Sequence, residues 1–119
     1  MLKKDPTAES RKSDHIDMAF SSQVLPHVLD HRFYYEPILS GHPKDDEDIS
    51  IDFLGKRMKT PIWVSSMTGG TEKAKLININ LAKACGQYGM GMGLGSCRAL
   101  LHSDDRLADF DVRSYMPDQ

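Results

Sequence analysis

Cysteine, long apolar runs and a surplus of either charge are all scarce in this sequence, and each scarcity removes a class of protein. Its 119 residues include two cysteines, Cys85 and Cys97, which lack the spacing of metal ligands. Neither a metal-nucleated nor a disulfide-stapled scaffold is therefore expected, and both thiols are read as free, as in a reducing compartment. Charges run through the N-terminal residues, and no apolar stretch there is long enough for a signal or a spanning helix. Export and membrane insertion lack support, and a cytoplasmic location is expected. The formal net charge is -2, with bases scattered among acids, so no basic field exists to hold a nucleic acid backbone. A hydrophobic content of 39% over this length fits one globular unit with a modest core and no second domain.

What is there is a change of periodicity along the chain. Asp5-Pro6 supplies an N-cap and a first helical residue, Glu9 follows near the positive end of the helix dipole, and Ile16 and Phe20 share a face. This predicts a helix over residues 7–24. Residues 26–43 hold three prolines, three histidines and Phe33-Tyr34-Tyr35 without a period, and read as loop with short ordered pieces. The run Asp45-Asp46-Glu47-Asp48 has charge for a hard cation but not the glycine and spacing of a calcium loop, and reads as a solvated turn. Ile49, Ile51 and Phe53 alternate with polar residues, Gly55 offers a turn, and residues 56–60 return as a partner, so a small hairpin is expected.

Pro61-Ile62-Trp63-Val64-Ser65-Ser66-Met67 is apolar, β-prone and closed by Thr68-Gly69-Gly70, which predicts a strand buried on both faces. Thr71 caps the helix that follows, and Ala74, Ile77, Leu81, Ala84 or Cys85, and Tyr88 mark its expected buried face. From Gly89 to Gly95 every second residue is glycine, which predicts a strand with one bare edge and one face of Met90, Met92 and Leu94. The dinucleotide fingerprint fails here, because no start from Gly89, Gly91 or Gly93 places a glycine at the sixth position. A second helix is expected over residues 103–115, with Leu107, Phe110 and Val112 inward. Strand, helix, strand and helix in this order imply a parallel α/β sheet. A closed eight-stranded (β/α) barrel takes roughly 250 residues, so this sequence holds the material of about two of its units and reads as truncated, or complete only with a partner.

Ligands of such sheets bind at the carboxyl ends of the strands. Ser66-Met67-Thr68-Gly69-Gly70 and Gly95-Ser96-Cys97-Arg98 both fall there, and adjacent strands bring them side by side. Small residues and hydroxyls suit a flat, hydrogen-bonding ligand, and an arginine beside them suits a phosphate. The same glycines serve equally well for tight turns and close packing, with Arg98 a surface charge. Arg11, Lys12 and His15 offer three cationic side chains on the first helix; as a diphosphate clamp they are reasonable, and on local grounds an ordinary solvated helix accounts for them better.

Taken in order, Arg-Lys-x-x-His-Ile, Pro-Ile-x-x-Ser-Ser-Met-Thr-Gly-Gly and Gly-Met-Gly-Leu-Gly-Ser-x-Arg closely resemble the N-terminal motifs of type 2 isopentenyl diphosphate isomerases, from Arg11 to Pro117. The resemblance implies an α/β fold, a (β/α)8 TIM barrel that binds FMN, of which only the N-terminal portion is present. Residues 1–48 would be an N-terminal extension, 49–60 a hairpin and 61–119 the first two βα units. It implies Mg²⁺ on the substrate diphosphate, NADPH as the reductant of the flavin, and interconversion of isopentenyl and dimethylallyl diphosphate by a net proton shift. By that resemblance Ser66, Met67, Thr68 and Ser96 contact the flavin, while Arg11, Lys12, Arg98 and, more weakly, His15 hold the diphosphate. No catalytic residue and no metal ligand is assigned within the stretch, since the family's metal-binding glutamate and flavin-phosphate pocket lie on later strands. The stretch alone is expected to be inactive, and the full-length family member to be a homo-oligomer. A flavin-dependent oxidoreductase of the 2-hydroxy-acid oxidase kind is a rival with the same barrel and cofactor, lacking the Arg11-Lys12 pair and Arg98. A non-catalytic fragment that binds phosphate or a partner is the alternative from another class.

Overall fold

The computed structural model describes residues 5–25, 27, 28, 32, 36, 38, 41–66 and 68–117. Helix α1 (Ala8–Ser21) ends three residues before its expected limit at Val24. Its cap also differs from expectation: Thr7 is the N-cap, and Asp5 accepts hydrogen bonds from the Thr7 N–H at 2.9 Å and the Thr7 hydroxyl at 2.8 Å. Ile16 is buried as expected, whereas Phe20 is exposed and carries the Lys73 ammonium 5.2 Å from its ring centroid. Most of the proline- and aromatic-containing stretch 26–40 lies outside the described residues.

The hairpin forms as β1 (Ile51–Phe53) against β2 (Lys56–Met58), antiparallel, with Ile51 opposite Met58 and Phe53 opposite Lys56. Leu54 and Gly55 have φ of 49° and 77°, the paired left-handed conformation whose twist matches a two-residue hairpin. The acidic run stays solvent-exposed at its foot, where Asp48 and Asp52 pair with Arg57.

The βαβ unit consists of β3 (Trp63–Val64), α2 (Glu72–Tyr88) and β4 (Gly91–Met92), with β3 and β4 parallel and Trp63 opposite Gly91. Thr71 caps α2 as expected, its hydroxyl accepting from the Ala74 N–H at 3.1 Å, and Gly89 ends the helix at φ 63°. β3 is shorter than predicted and not buried on both faces: Trp63 is 48% exposed, because β4 is its sole sheet partner among the described residues. A Cβ on Gly91 would lie inside the Trp63 ring, and one on Gly93 would stand 2.6 Å from the Ser66 hydroxyl. The alternating glycines therefore admit the neighbouring strand's side chains.

The core lies beneath this pair. Ala82, Cys85, Val112 and Met116 form it, and Met90, Met92 and Leu94 pack against it, the face the alternation predicted. The buried stripe of α2 is Ala74, Asn78, Ala82 and Cys85: Ala74 and Cys85 are buried as expected, whereas Asn78 and Ala82 take the inward places expected of Ile77 and Leu81, and Tyr88 is exposed. Small residues win because the 107–116 segment passes close over the helix, and a Cβ on Gly86 would overlap the Tyr115 carbonyl. The second helix does not form. Two short 3₁₀ turns replace it, Leu107–Asp109 and Arg113–Tyr115, and a third, Arg98–Leu101, precedes that stretch. The Asp109 carbonyl, which an α-helix would bond to the N–H four residues on, instead accepts from Asn78 Nδ2 at 2.9 Å. Leu107 is consequently exposed, while Phe110 and Val112 are buried. The described residues form two two-stranded sheets and no closed barrel, and the radius of gyration, 17.8 Å, exceeds the ~13.5 Å of a compact domain this long.

Candidate functional site

A cleft of about 1230 Å³ opens between α1, the turn after β3 and the segment after β4. Arg11, Lys12 and His15 line it from the helix, Ser66 and Thr68 from the end of β3, and Ser96 and Arg98 from the end of β4. Seven of the residues singled out from the sequence thus surround one space, although they come from three segments as far apart as Arg11 and Arg98. Met67, the remaining one, lies outside the described residues.

These residues differ in how free they are. Arg11 is ion-paired to Asp5, which also lines the cleft. The Thr7 hydroxyl, then its N–H, and behind them Arg11 and Arg98 hold the Asp5 carboxyl below the usual carboxylate range. An anion bound by Arg11 must therefore share it with Asp5. Arg98 is exposed and makes no side-chain hydrogen bond or ion pair among the described residues, while its backbone N–H donates to the Ser96 hydroxyl at 3.4 Å. Lys12 reaches across from α1, donating to the Ser96 carbonyl at 3.4 Å and lying 6.0 Å from the Phe110 ring centroid. Its surroundings push the ammonium below the ordinary lysine value, chiefly through desolvation; Cys97 and Asp109 draw it back up, and Arg106 and Arg98 add to the lowering. Of the lysine and arginine side chains that line the cleft, Lys12 and Arg98 are the two not paired with a carboxylate among the described residues.

Thr68 is the buried member of the group, and a Cβ on Gly95 would fall 2.5 Å from its carbonyl oxygen. Gly70, at φ 80°, is the one glycine that lines the cleft; Gly91, Gly93 and Gly95 face β3 and its continuation. The bare shelf expected of the alternating glycines is therefore taken up by protein, and the cleft offers a ligand hydroxyls and cations instead.

Arg106 was missed from the sequence. Its guanidinium lines the cleft, pairs through Nη1 with Glu72 at 3.0 Å, and lies 2.9 Å from Asp109 through Nε. Asp109 is 3% exposed and accepts no well-aligned hydrogen bond on that oxygen, so the contact is coulombic. Asn78 was missed as well, hidden at 1% exposure behind Thr68. Its position mid-helix among small residues was the available signal. Among the described residues no cluster of His, Cys, Asp or Glu is arranged to hold a metal ion, and no helix is long and apolar enough to cross a membrane. Both cysteines are free, Cys85 buried and Cys97 exposed.

Fold and site together describe a βαβ unit whose strand ends and preceding helix converge on an anion-receptive cleft. The chain is 40% identical to an isopentenyl-diphosphate delta-isomerase of Rickettsia typhi over 99% of its own length and 35% of that protein's. It is 41% identical to the isopentenyl-diphosphate delta-isomerase of Rickettsia prowazekii over 91% of the chain and 32% of the relative. The corresponding protein of a Nostoc species is 36% identical over 92% of the chain and 33% of the relative. No family model matches the chain. These three relatives bear one name, and the chain spans about 35% of the length of the first of them.

Proposed function

We propose that the chain forms the diphosphate-gripping part of an isopentenyl-diphosphate isomerase of the flavin-dependent type, acting in isoprenoid biosynthesis. One observation carries this reading: Arg11, Lys12, His15, Ser66, Thr68, Ser96 and Arg98 meet at a single cleft, where Lys12 and Arg98 are the lysine and arginine not paired with a carboxylate among the described residues. The name borne by the relatives supports the substrate, isopentenyl diphosphate, and the isomerisation. FMN, Mg²⁺, NADPH, a (β/α)8 barrel, assembly as a homo-oligomer and a cytoplasmic setting are parts of the same proposal.

The residues present fit the ligands at their polar parts. Arg98 offers a planar fork and Lys12 a compact charge to phosphate oxygens, with Arg11 joining if it shares Asp5. The exposed hydroxyls of Ser66 and Ser96 and the turn at Thr68 suit the hydrogen-bonding edge of a flavin, with Met67 beside them in the chain. Ligands for Mg²⁺ are not assigned to this stretch, which has no cluster fit for one among its described residues. When bound, reduced FMN supplies an electron-rich ring against which cationic character at the tertiary carbon is stabilised. The chain's own task is to anchor the diphosphate, so that binding energy remote from the double bond positions a small hydrocarbon with no polar handle.

Binding is the deciding readout, since turnover is not expected of these residues alone. Calorimetric titration of the chain with isopentenyl diphosphate and with inorganic pyrophosphate should show saturable, salt-sensitive binding that Arg98→Ala weakens by about 2 kcal/mol. Absence of saturable binding of either compound overturns the proposal. In a full-length protein that contains these residues, oxygen consumption with a 2-hydroxy acid would point to the oxidase kind instead.

A further inference from the structure

We infer that Asn78, which does not line the cleft, is a positioning residue for the anion site. Its Nδ2 donates to two backbone carbonyls from different segments, Thr68 at 3.3 Å and Asp109 at 2.9 Å. Two carbonyl acceptors require the amide nitrogen on that side, and the two hydrogens of one NH₂ group serve both. At 1% exposure no solvent competes for these bonds.

The tether acts on the cleft through the residues it fixes. Thr68 and the following turn form the cleft wall at the end of β3. Asp109 precedes Phe110, whose ring occupies the space a side chain at Gly69 would need. The same ring lies under Lys12, 6.0 Å from the ammonium, and a Cβ on Gly70 would be 3.1 Å from that nitrogen. Asn78 therefore sets the spacing between the Thr68–Gly70 turn and the aromatic platform beneath Lys12. Arg106 ties the 107–109 turn to α2 a second time through Glu72, but only Asn78 also reaches the strand-end turn. The function of the positioned groups rests on the reading above; the tether does not.

The test compares the parent chain with Asn78→Leu, similar in size and without a donor, and Asn78→Ser, which leaves room for water should leucine prevent folding. Three quantities are read: inorganic pyrophosphate affinity, amide hydrogen exchange at Gly69 and Gly70, and the ¹⁵N resonance of the Lys12 ammonium. The inference expects affinity to fall about tenfold, as loss of a buried tether of this strength implies. It also expects faster exchange at the two glycines and a displaced Lys12 resonance, with the β1–β2 hairpin unchanged. Affinity within twofold of the parent, with unaltered exchange and resonance, overturns it. Should the parent not bind pyrophosphate, the proposed function fails, and exchange and resonance alone still decide whether Asn78 holds the turn. A uniform rise in exchange that includes the hairpin assigns Asn78 a purely structural role and also overturns the inference.

Discussion

Gly95 and Thr68 meet backbone to backbone: a Cβ on Gly95 would stand 2.5 Å from the Thr68 carbonyl oxygen and 2.7 Å from its carbonyl carbon and its nitrogen. No rotamer change relieves such a contact, because all three atoms belong to the main chain. Gly95→Ala should therefore destabilise the fold by about 2 kcal/mol, the usual cost of overpacking, and separate the two strand ends. Denaturant unfolding measures the first effect, and weakened pyrophosphate binding the second. A variant as stable as the parent would mean the strands part freely.

Arg98 and Arg106 border the same cleft and should respond differently to removal. Arg98 is exposed and makes no ion pair among the described residues, so Arg98→Ala should change stability by less than about 0.5 kcal/mol. It should weaken pyrophosphate binding by about 2 kcal/mol through loss of a charge-assisted contact. Arg106 is 27% exposed and faces the buried Asp109, so Arg106→Ala leaves a carboxylate without its counter-charge. Part of that cost is screened at the exposed side, and about 2 kcal/mol of stability should be lost. Thermal unfolding and calorimetry on both variants separate the roles; equal stability losses would contradict the assignment.

The elements legible in the sequence are those fixed by local rules. The hairpin rests on alternation around Leu54-Gly55, the cap of α2 on Thr71, and the inward face of β4 on Met90, Met92 and Leu94, and each needs only a few neighbouring residues. Asn78 shows the limit. A helix judged by hydrophobicity turns Ile77 and Leu81 inward, whereas tertiary packing selected Asn78 and Ala82 so that another segment could approach. The same contact removed the second helix, since Asp109 exchanged a helical hydrogen bond for one to Asn78. At the site, the convergence of Arg11, Lys12 and Arg98 was implied by the family resemblance and not by local rules, and the destination of the glycines followed from neither. Alternation says that one edge is bare and cannot say whether protein or ligand fills it.

Thr71 closes the N-terminus of α2 beside the Thr68–Gly70 turn, its hydroxyl taking the Ala74 N–H in a buried setting. Thr71→Ala should cost about 1 kcal/mol, and Thr71→Ser distinctly less, because serine restores the acceptor. Chemical denaturation of the pair checks this. Equal losses would show that the methyl group rather than the cap supplies the stability.

Lys12 couples the site to pH with a sign that can be worked out. Burial lowers its folded value below the ordinary lysine value of 10.5, so between the two the unfolded chain holds more protons. Stability from this group therefore rises as pH rises through the folded value and levels off near 10.5, whereas at lower pH the penalty of a desolvated ammonium is present in full. Anion binding runs the other way, since the ammonium that burial disfavours is the charge a phosphate needs. As pH climbs toward 10.5, unfolding free energy relative to Lys12→Met should increase while pyrophosphate affinity falls. Paired denaturation and binding curves for the two proteins provide the measurement, with the shared titrations of other groups cancelling in the difference. Parallel stability curves would show that the Lys12 ammonium is as well solvated in the folded chain as in the unfolded one.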